Sequence, residues 1–148
     1  AALDAGLADF AYRIADTALT LWQNECAESY CCFEHFMIES RRGAGWHQFS
    51  GLSSPVMQWF SSYYRSGTLT TGFDTYVRHA DWASDNSALT ATLDFTAAGR
   101  STVLVVLQPG SKVVTASVPC TVTTRHDGLW ELTFMLDKPC SVAVNIHS

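Results

Sequence analysis

The sequence has no long hydrophobic run and no cluster of basic residues. Its longest apolar run, Thr102 to Leu107, has the length of a strand, far short of the ~18 residues that a membrane helix needs. Nine lysines and arginines against 14 acidic residues give a net charge of −5, and only Arg41 and Arg42 are adjacent. Nucleic acids and anionic membranes bind concentrated positive charge, so neither is an expected partner.

Cysteine spacing excludes a further class of site. The chain has five cysteines, but no Cys-x-x-Cys pair and no Cys/His spacing of the kind that binds zinc. The sequence therefore predicts no metal and no cofactor. Cys31 and Cys32 are adjacent, where a disulfide would be strained, whereas Cys120 and Cys140 could pair if their strands face each other. Five free, partly buried thiols are the favoured alternative, and the cellular compartment stays open.

The first third of the chain has helical periodicity and no signal-peptide pattern. Apolar residues at helical spacing predict a long helix from Leu3 to about Ala27, which begins as abruptly as if a longer chain had been cut there. Tyr30 to Phe49 has no clean period, which predicts an ordered loop with a short strand. Ser53-Ser54-Pro55 is typical of a helix start, with a serine cap before a proline, so we expect a second helix over Pro55 to Tyr64.

From Ser66 onward the apolar residues alternate with a period of two, which is typical of strands. Turn sequences such as His126-Asp127-Gly128 separate the strands and favour hairpins. The predicted strands are Thr68–Asp74, Thr75–Trp82, Ala88–Phe95, Thr102–Gln108, Lys112–Val118, Cys120–Thr124, Trp130–Leu136 and Ser141–His147. Seven or eight short antiparallel strands predict a β-sandwich over residues 66–148, preceded by a helical part over residues 1–65.

The candidate functional residues lie in the segment between the two predicted helices. Glu34 is the candidate catalytic carboxylate, because Phe33 and Phe36 would give it a partly apolar environment that raises a carboxyl pKa and suits proton transfer. A solvated or capping role is the more common one for a single glutamate, and Glu28, Glu39 and Asp74 compete with it. The candidate substrate contacts offer aromatic faces and hydrogen-bonding groups: His35, Phe36, Arg42, Trp46, His47 and Gln48.

Three short motifs in this segment resemble the C-terminal end of the (α/α)6-barrel glycosidases of glycoside hydrolase families 63 and 37, the processing α-glucosidases and trehalases. Glu34-His35-Phe36 resembles their Glu-x-Tyr, and Gly43-Ala44-Gly45 their glycine-rich turn. Phe49 to Ser54 resembles their Phe-x-Trp-Ser/Thr segment before the last barrel helix. Phe36 replaces the usual tyrosine, and Gly51 or Leu52 stands where tryptophan is common.

The resemblance implies an α+β chain that supplies the last helices of an (α/α)6 barrel followed by a C-terminal antiparallel β-sandwich. It implies that Glu34 is the general base of an inverting glycoside hydrolase that cleaves an α-linked oligosaccharide. Inverting enzymes need a second carboxyl group ~6.5–9.5 Å away as the general acid. A companion chain, or an N-terminal segment outside this sequence, would then complete the barrel and supply that acid.

Two alternatives belong to other functional classes. In the first, the chain is a carbohydrate-binding β-sandwich module without catalysis, with Tyr76, Trp82 and Trp130 as its binding face. Because strand aromatics in a sandwich are usually core residues, this is the weaker hypothesis. In the second, the chain is a structural interaction domain with no ligand. The apolar residues Leu3, Leu7, Phe10 and Ile14 indicate that the chain is a fragment of a larger helical assembly or that a companion chain completes it, because two helices cannot bury such a face alone.

Overall fold

A computed structural model describes residues 2–48 and 50–148, apart from the side chains of Ser50, Leu52 and Ser53. The chain divides into two compact units, one formed by the residues up to Ala8 with Ser62–Ser148, the other by Asp9–Ser61. The elements in chain order are α1 (Ala8–Ser29), β1 (Phe33–Phe36), β2 (Gly43–His47), α2 (Ser50–Tyr64), β3 (Thr68–Thr70), β4 (Thr75–Trp82), β5 (Leu89–Phe95), β6 (Gly99–Val106), β7 (Val113–Ala116), β8 (Cys120–Thr124), β9 (Leu129–Leu136) and β10 (Cys140–His147).

The expected fold class was wrong. Over the described residues the chain is mostly β, with two helices against ten strands in antiparallel sheets. An (α/α)6 barrel is a closed ring of helix pairs, and the two helices α1 and α2 do not form one. The resemblance to the C-terminal end of such barrel enzymes is therefore not supported by the architecture.

The first helix starts later than the periodicity predicts. Gly6 has a φ of +75°, which ends a short turn in which its N–H bonds to the Leu3 carbonyl, so α1 begins only at Ala8. Ala15 is buried on the inner face of α1, whereas Phe10 and Ile14 are 51% and 42% exposed.

Neither helix in the described part of the chain has the length and apolar character to span a membrane.

The second helix starts earlier than predicted. It begins at Ser50, so Pro55 lies inside the helix and the predicted serine cap at Ser53-Ser54 was wrong. A proline at this position removes one N–H donor, and its ring crowds the carbonyl four residues earlier in the helix. Tyr63, near the end of α2, is buried, and its carbonyl lies 2.6 Å from Nε2 of His126.

All eight strands predicted after Ser66 are present; two have the predicted bounds, and the ends of the other six differ by one to a few residues. They form two four-stranded antiparallel sheets, in the orders β4-β5-β10-β7 and β3-β6-β9-β8. Alternate residues of β5 and β10 in the first sheet and of β6 and β9 in the second form one core cluster. Side chains of both sheets therefore share one hydrophobic core, as in a β-sandwich.

One tight turn of the sandwich, between β8 and β9, matches its sequence signal. β8 pairs with β9 directly across the predicted His126-Asp127-Gly128 turn.

The Nη2 atom of Arg125, beside that turn, lies 2.8 Å from the carboxylate of Glu131, which is only 2% exposed. A buried carboxylate needs such a cation because desolvation of an isolated charge is costly.

Candidate active site on the first hairpin

The predicted loop between the helices is a β-hairpin with an irregular register. β1 and β2 pair antiparallel, with Phe33 opposite His47 and His35 opposite Ala44. One residue of β1, Glu34, therefore faces two residues of β2, Gly45 and Trp46. This is the geometry of a β-bulge, which bends a strand locally and redirects a side chain.

Gly45 creates the space that the Glu34 side chain occupies. The φ of Gly45 is +85°, a conformation that a residue with a Cβ atom rarely adopts. A Cβ atom at this position would lie 2.6 Å from Oε2 of Glu34 and 3.1 Å from Cε1 of His35. The bulge therefore places the Glu34 carboxylate and the His35 imidazole together beside the backbone of Gly45, which carries no side chain.

The Glu34 carboxylate is available to a ligand. Its side chain is exposed, and it forms no ion pair or hydrogen bond with another residue in the described ranges 2–48 and 50–148. Trp46, beside the bulge, is 73% exposed. The site thus combines an exposed carboxylate, an imidazole and a large aromatic surface on one short hairpin.

The apolar wall expected around Glu34 is not formed. Phe33 instead packs across the hairpin: a Cβ atom on Gly43 would lie 2.1 Å from its ring, and its ring meets that of His47 edge-on with centroids 5.0 Å apart. The prediction that Phe33 and Phe36 enclose Glu34 was wrong, because Glu34 is exposed while both phenylalanines are half-buried.

Phe36 contributes to a separate groove between α1 and the hairpin turn. This groove has a volume of about 630 Å³. It is lined by Asp16, Thr17, Thr20, Leu21, Phe36, Met37, Ile38 and Arg41. Glu34 is not among the lining residues, so the groove and the bulge are distinct features of the hairpin.

Arg42 connects the hairpin to α1 through ion pairs. Its Nε and Nη2 atoms lie 3.0 and 3.2 Å from the Glu25 carboxylate, and its Nη1 bonds to Glu28. These two carboxylates raise the pKa of Arg42. The neighbouring Gly43 N–H donates to Oε2 of Glu25 over 2.8 Å. Arg42 thus has a structural role, and direct contact of Arg42 with a substrate stays a prediction.

Gln48 closes the hairpin in an unusual conformation. Its φ is +55°, and its N–H donates to the Sγ atom of Cys31 over 3.2 Å. Phe49, the first residue of the third motif, lies outside the described residues. Of the predicted site residues, the hairpin therefore groups Glu34, His35 and Trp46 at the bulge and places His47 and Gln48 at its open end.

Glu25 is the important residue that sequence reasoning missed. It is 4% exposed and lies four residues after Leu21, on the stripe of α1 that carries apolar residues. A carboxylate at such a position needs a cation or several donors, which is the signal that could have identified it. Its partners Arg42 and Gly43 are 17 and 18 residues away, and no local pattern joins them to it.

We expect Glu25 to make this unit sensitive to acid. The hydrogen bond from the Gly43 N–H, with smaller contributions from Ser29 and Arg42, lowers the pKa of Glu25 below its ordinary value of 4.5. A lowered folded-state pKa stabilises the fold above pH 4.5, and this contribution is lost as the pH falls through the folded-state pKa. Thermal melts of Glu25→Gln should show a lower Tm than the wild type at pH 7, and the two values should approach each other as the pH falls below 4.5.

The matched control is Glu39→Gln, which changes an exposed carboxylate on the same hairpin turn. Its Tm should follow that of the wild type at every pH. A Tm difference between the wild type and Glu25→Gln that is as large at pH 3 as at pH 7 would contradict a role for the ionised carboxylate.

The aromatic set proposed for the alternative binding module is dispersed. Trp130 is 6% exposed and belongs to the core of the sandwich, against which Trp82 also packs. Tyr76 is 62% exposed on β4. These three side chains therefore do not present a common flat surface, and the expectation that strand aromatics are core residues holds for Trp130.

The site and the rest of the chain were compared with known proteins. Over the part of the chain that the structure describes, no group of three histidines, cysteines or carboxylates is arranged to hold a metal ion. Searches against protein-family models, curated proteins and solved structures gave no match.

Proposed function

We propose that this chain contributes the general base to the inverting hydrolysis of an α-linked oligosaccharide. The observation that carries the proposal is the position of Glu34, an exposed carboxylate held over Gly45 by a β-bulge. Bulges are over-represented next to active sites, where they aim a side chain. Glu25 and Glu28, by contrast, are already occupied by Arg42.

In the proposed reaction Glu34 accepts a proton from water while the water oxygen attacks the anomeric carbon. The bond from that carbon to the leaving oxygen breaks, and a carboxylic acid on the opposite side of the sugar protonates the leaving oxygen. His35 lies beside the carboxylate and can bond to the water or to a sugar hydroxyl. Trp46 provides an amphipathic ring for the face of a sugar.

The general acid is assigned to a companion chain or to another segment of the same protein. An inverting mechanism places the two carboxyl groups ~6.5–9.5 Å apart, on either side of the substrate. The exposed apolar side chains Phe10 and Ile14 on α1 support such a partner, because exposed apolar clusters commonly mark interaction sites.

The anomeric configuration of the first product tests the proposal. The native assembly should release a β-anomer from an α-linked oligosaccharide, which proton NMR detects before mutarotation, and the chain purified alone should release none. Hydrolysis by the isolated chain, or an α-anomeric first product, would contradict the assignment. Glycan binding without hydrolysis by the native assembly would favour the binding module, and neither binding nor hydrolysis would favour an interaction domain.

A further inference from the structure

Three cysteines lie together where α1 meets the hairpin. Cys26 is in the last two turns of α1, and Cys31 and Cys32 directly precede β1. The Sγ atoms of Cys26 and Cys32 are 3.9 Å apart, and Cys26 Sγ also donates to the Cys31 carbonyl over 3.4 Å. A disulfide has a sulfur–sulfur distance of ~2.05 Å, so a shift of ~2 Å would join the two sulfurs.

The backbone between these residues explains their proximity. Tyr30 has a φ of +53°, and its N–H donates to the Cys26 carbonyl over 3.0 Å. A left-handed residue after the last helical turn reverses the chain direction. The reversal returns the chain toward the helix end, and this places Cys32 beside Cys26.

We propose that Cys26 and Cys32 form a reversible disulfide that locks the base of the hairpin to α1, with a small disulfide such as oxidised glutathione as the oxidant. The Cys32 thiolate attacks oxidised glutathione, forms a mixed disulfide and releases one glutathione thiolate. The Cys26 thiolate then attacks the Cys32 sulfur and releases the second. The two protein thiols lose two protons and two electrons, and one oxidised glutathione becomes two reduced molecules.

Cys31 is the less suitable partner for either neighbour. Its sulfur already accepts the Gln48 N–H over 3.2 Å, at the open end of the hairpin. A bond between the adjacent Cys31 and Cys32 would be strained. The geometry therefore singles out one pair among three closely spaced thiols.

The second step should depend strongly on pH. Burial, together with the neighbouring thiol of Cys32, raises the pKa of Cys26 to about 11, and Cys31 and Glu25 add to the shift. In the mixed disulfide Cys32 no longer carries a thiol, but burial still raises the pKa of Cys26 above its ordinary value of 9.0. Because the thiolate is the nucleophile, closure of the mixed disulfide should accelerate about tenfold per pH unit between pH 7 and 8.

Peptide mapping after equilibration with oxidised and reduced glutathione tests the proposal. Cleavage after Glu28 separates Cys26 from Cys31 and Cys32, so the disulfide should hold two peptides together until reduction. Cys31→Ser should form the same bond, Cys32→Ser should not, and Cys26→Ser should retain glutathione on Cys32. Because Cys31 and Cys32 lie on one peptide, fragmentation of the backbone between them in the mass spectrometer identifies the bonded cysteine in the wild type, so a folding defect in a variant leaves the test intact. A bond to Cys31, a bond to Cys120 or Cys140, or five free thiols under oxidising buffer would overturn the proposal.

Discussion

Replacing Glu34 with glutamine is expected to lower the kcat of the native assembly about 10²–10⁴-fold, the range that a positioned general base contributes. Glutamine has the same shape but cannot accept the proton of the attacking water. Since Glu34 forms no ion pair within the described residues, the substitution removes no structural contact. KM and Tm should therefore change little, and initial-rate kinetics with thermal melts would separate chemistry from folding.

The conservative control for Glu34→Gln is Glu39→Gln on the same hairpin, which should keep the wild-type kcat. A second variant, Glu34→Ala, removes the side chain and leaves space for a small anion. Sodium azide should then restore turnover and yield a glycosyl azide with inverted configuration. If Glu34→Gln keeps its kcat, or if its loss of activity accompanies a loss of Tm, Glu34 does not act as the base.

The strands of the sandwich could be predicted because their signals are local. The predicted bounds of β4 and β8 match the observed ones, Thr75–Trp82 and Cys120–Thr124. A period of two and the turn chemistry between strands depend only on neighbouring residues. The assignment of strands to sheets depends on distant pairing, for example β10 between β5 and β7, and the sequence pattern does not specify it.

The helix starts and the hairpin were harder to predict because single residues override the pattern. Gly6 delays α1, and α2 extends past Pro55 toward its N-terminus, where the serines suggested a cap. For the hairpin segment the sequence predicts an ordered loop with a short strand, because the segment has no clean period and its glycines are turn signals. In the structure Gly45 is the positive-φ residue of a β-bulge within β2. A glycine in a sequence is compatible with such a bulge as well as with a turn.

The resemblance to barrel glycosidases failed at the level of the fold because its motifs are short. Each of the three motifs spans only a few residues, and the first two lie on one hairpin. Such segments specify a turn or a strand, whereas a barrel is specified by the packing of many helices. The position of the Glu34 side chain depends on the bulge and on Gly45. The ion pair of Glu25 with Arg42 depends on a tertiary contact, which none of the three motifs predicts.

Replacing Phe134 with alanine is expected to destabilise the sandwich by about 3–5 kcal/mol, the usual cost of deleting a buried phenylalanine. Phe134 is fully buried on β9, and its ring packs against Phe95 with centroids 5.2 Å apart. Alanine would leave a cavity beneath the centre of both sheets, because packed interiors relax only partly. Urea unfolding would measure the loss, and hydrogen exchange would locate it in the amides of β6 and β9.

The control Phe134→Leu keeps most of the buried volume and should cost clearly less than the alanine variant. Met135, the next residue on β9, is 66% exposed, so Met135→Ala should leave the free energy of unfolding nearly unchanged. Burial alternates between these neighbouring residues because successive side chains of a strand point to opposite faces of the sheet, and only one face of β9 packs in the core. Equal losses for Phe134→Ala and Met135→Ala would mean that the register of β9 in the sandwich is not the one described.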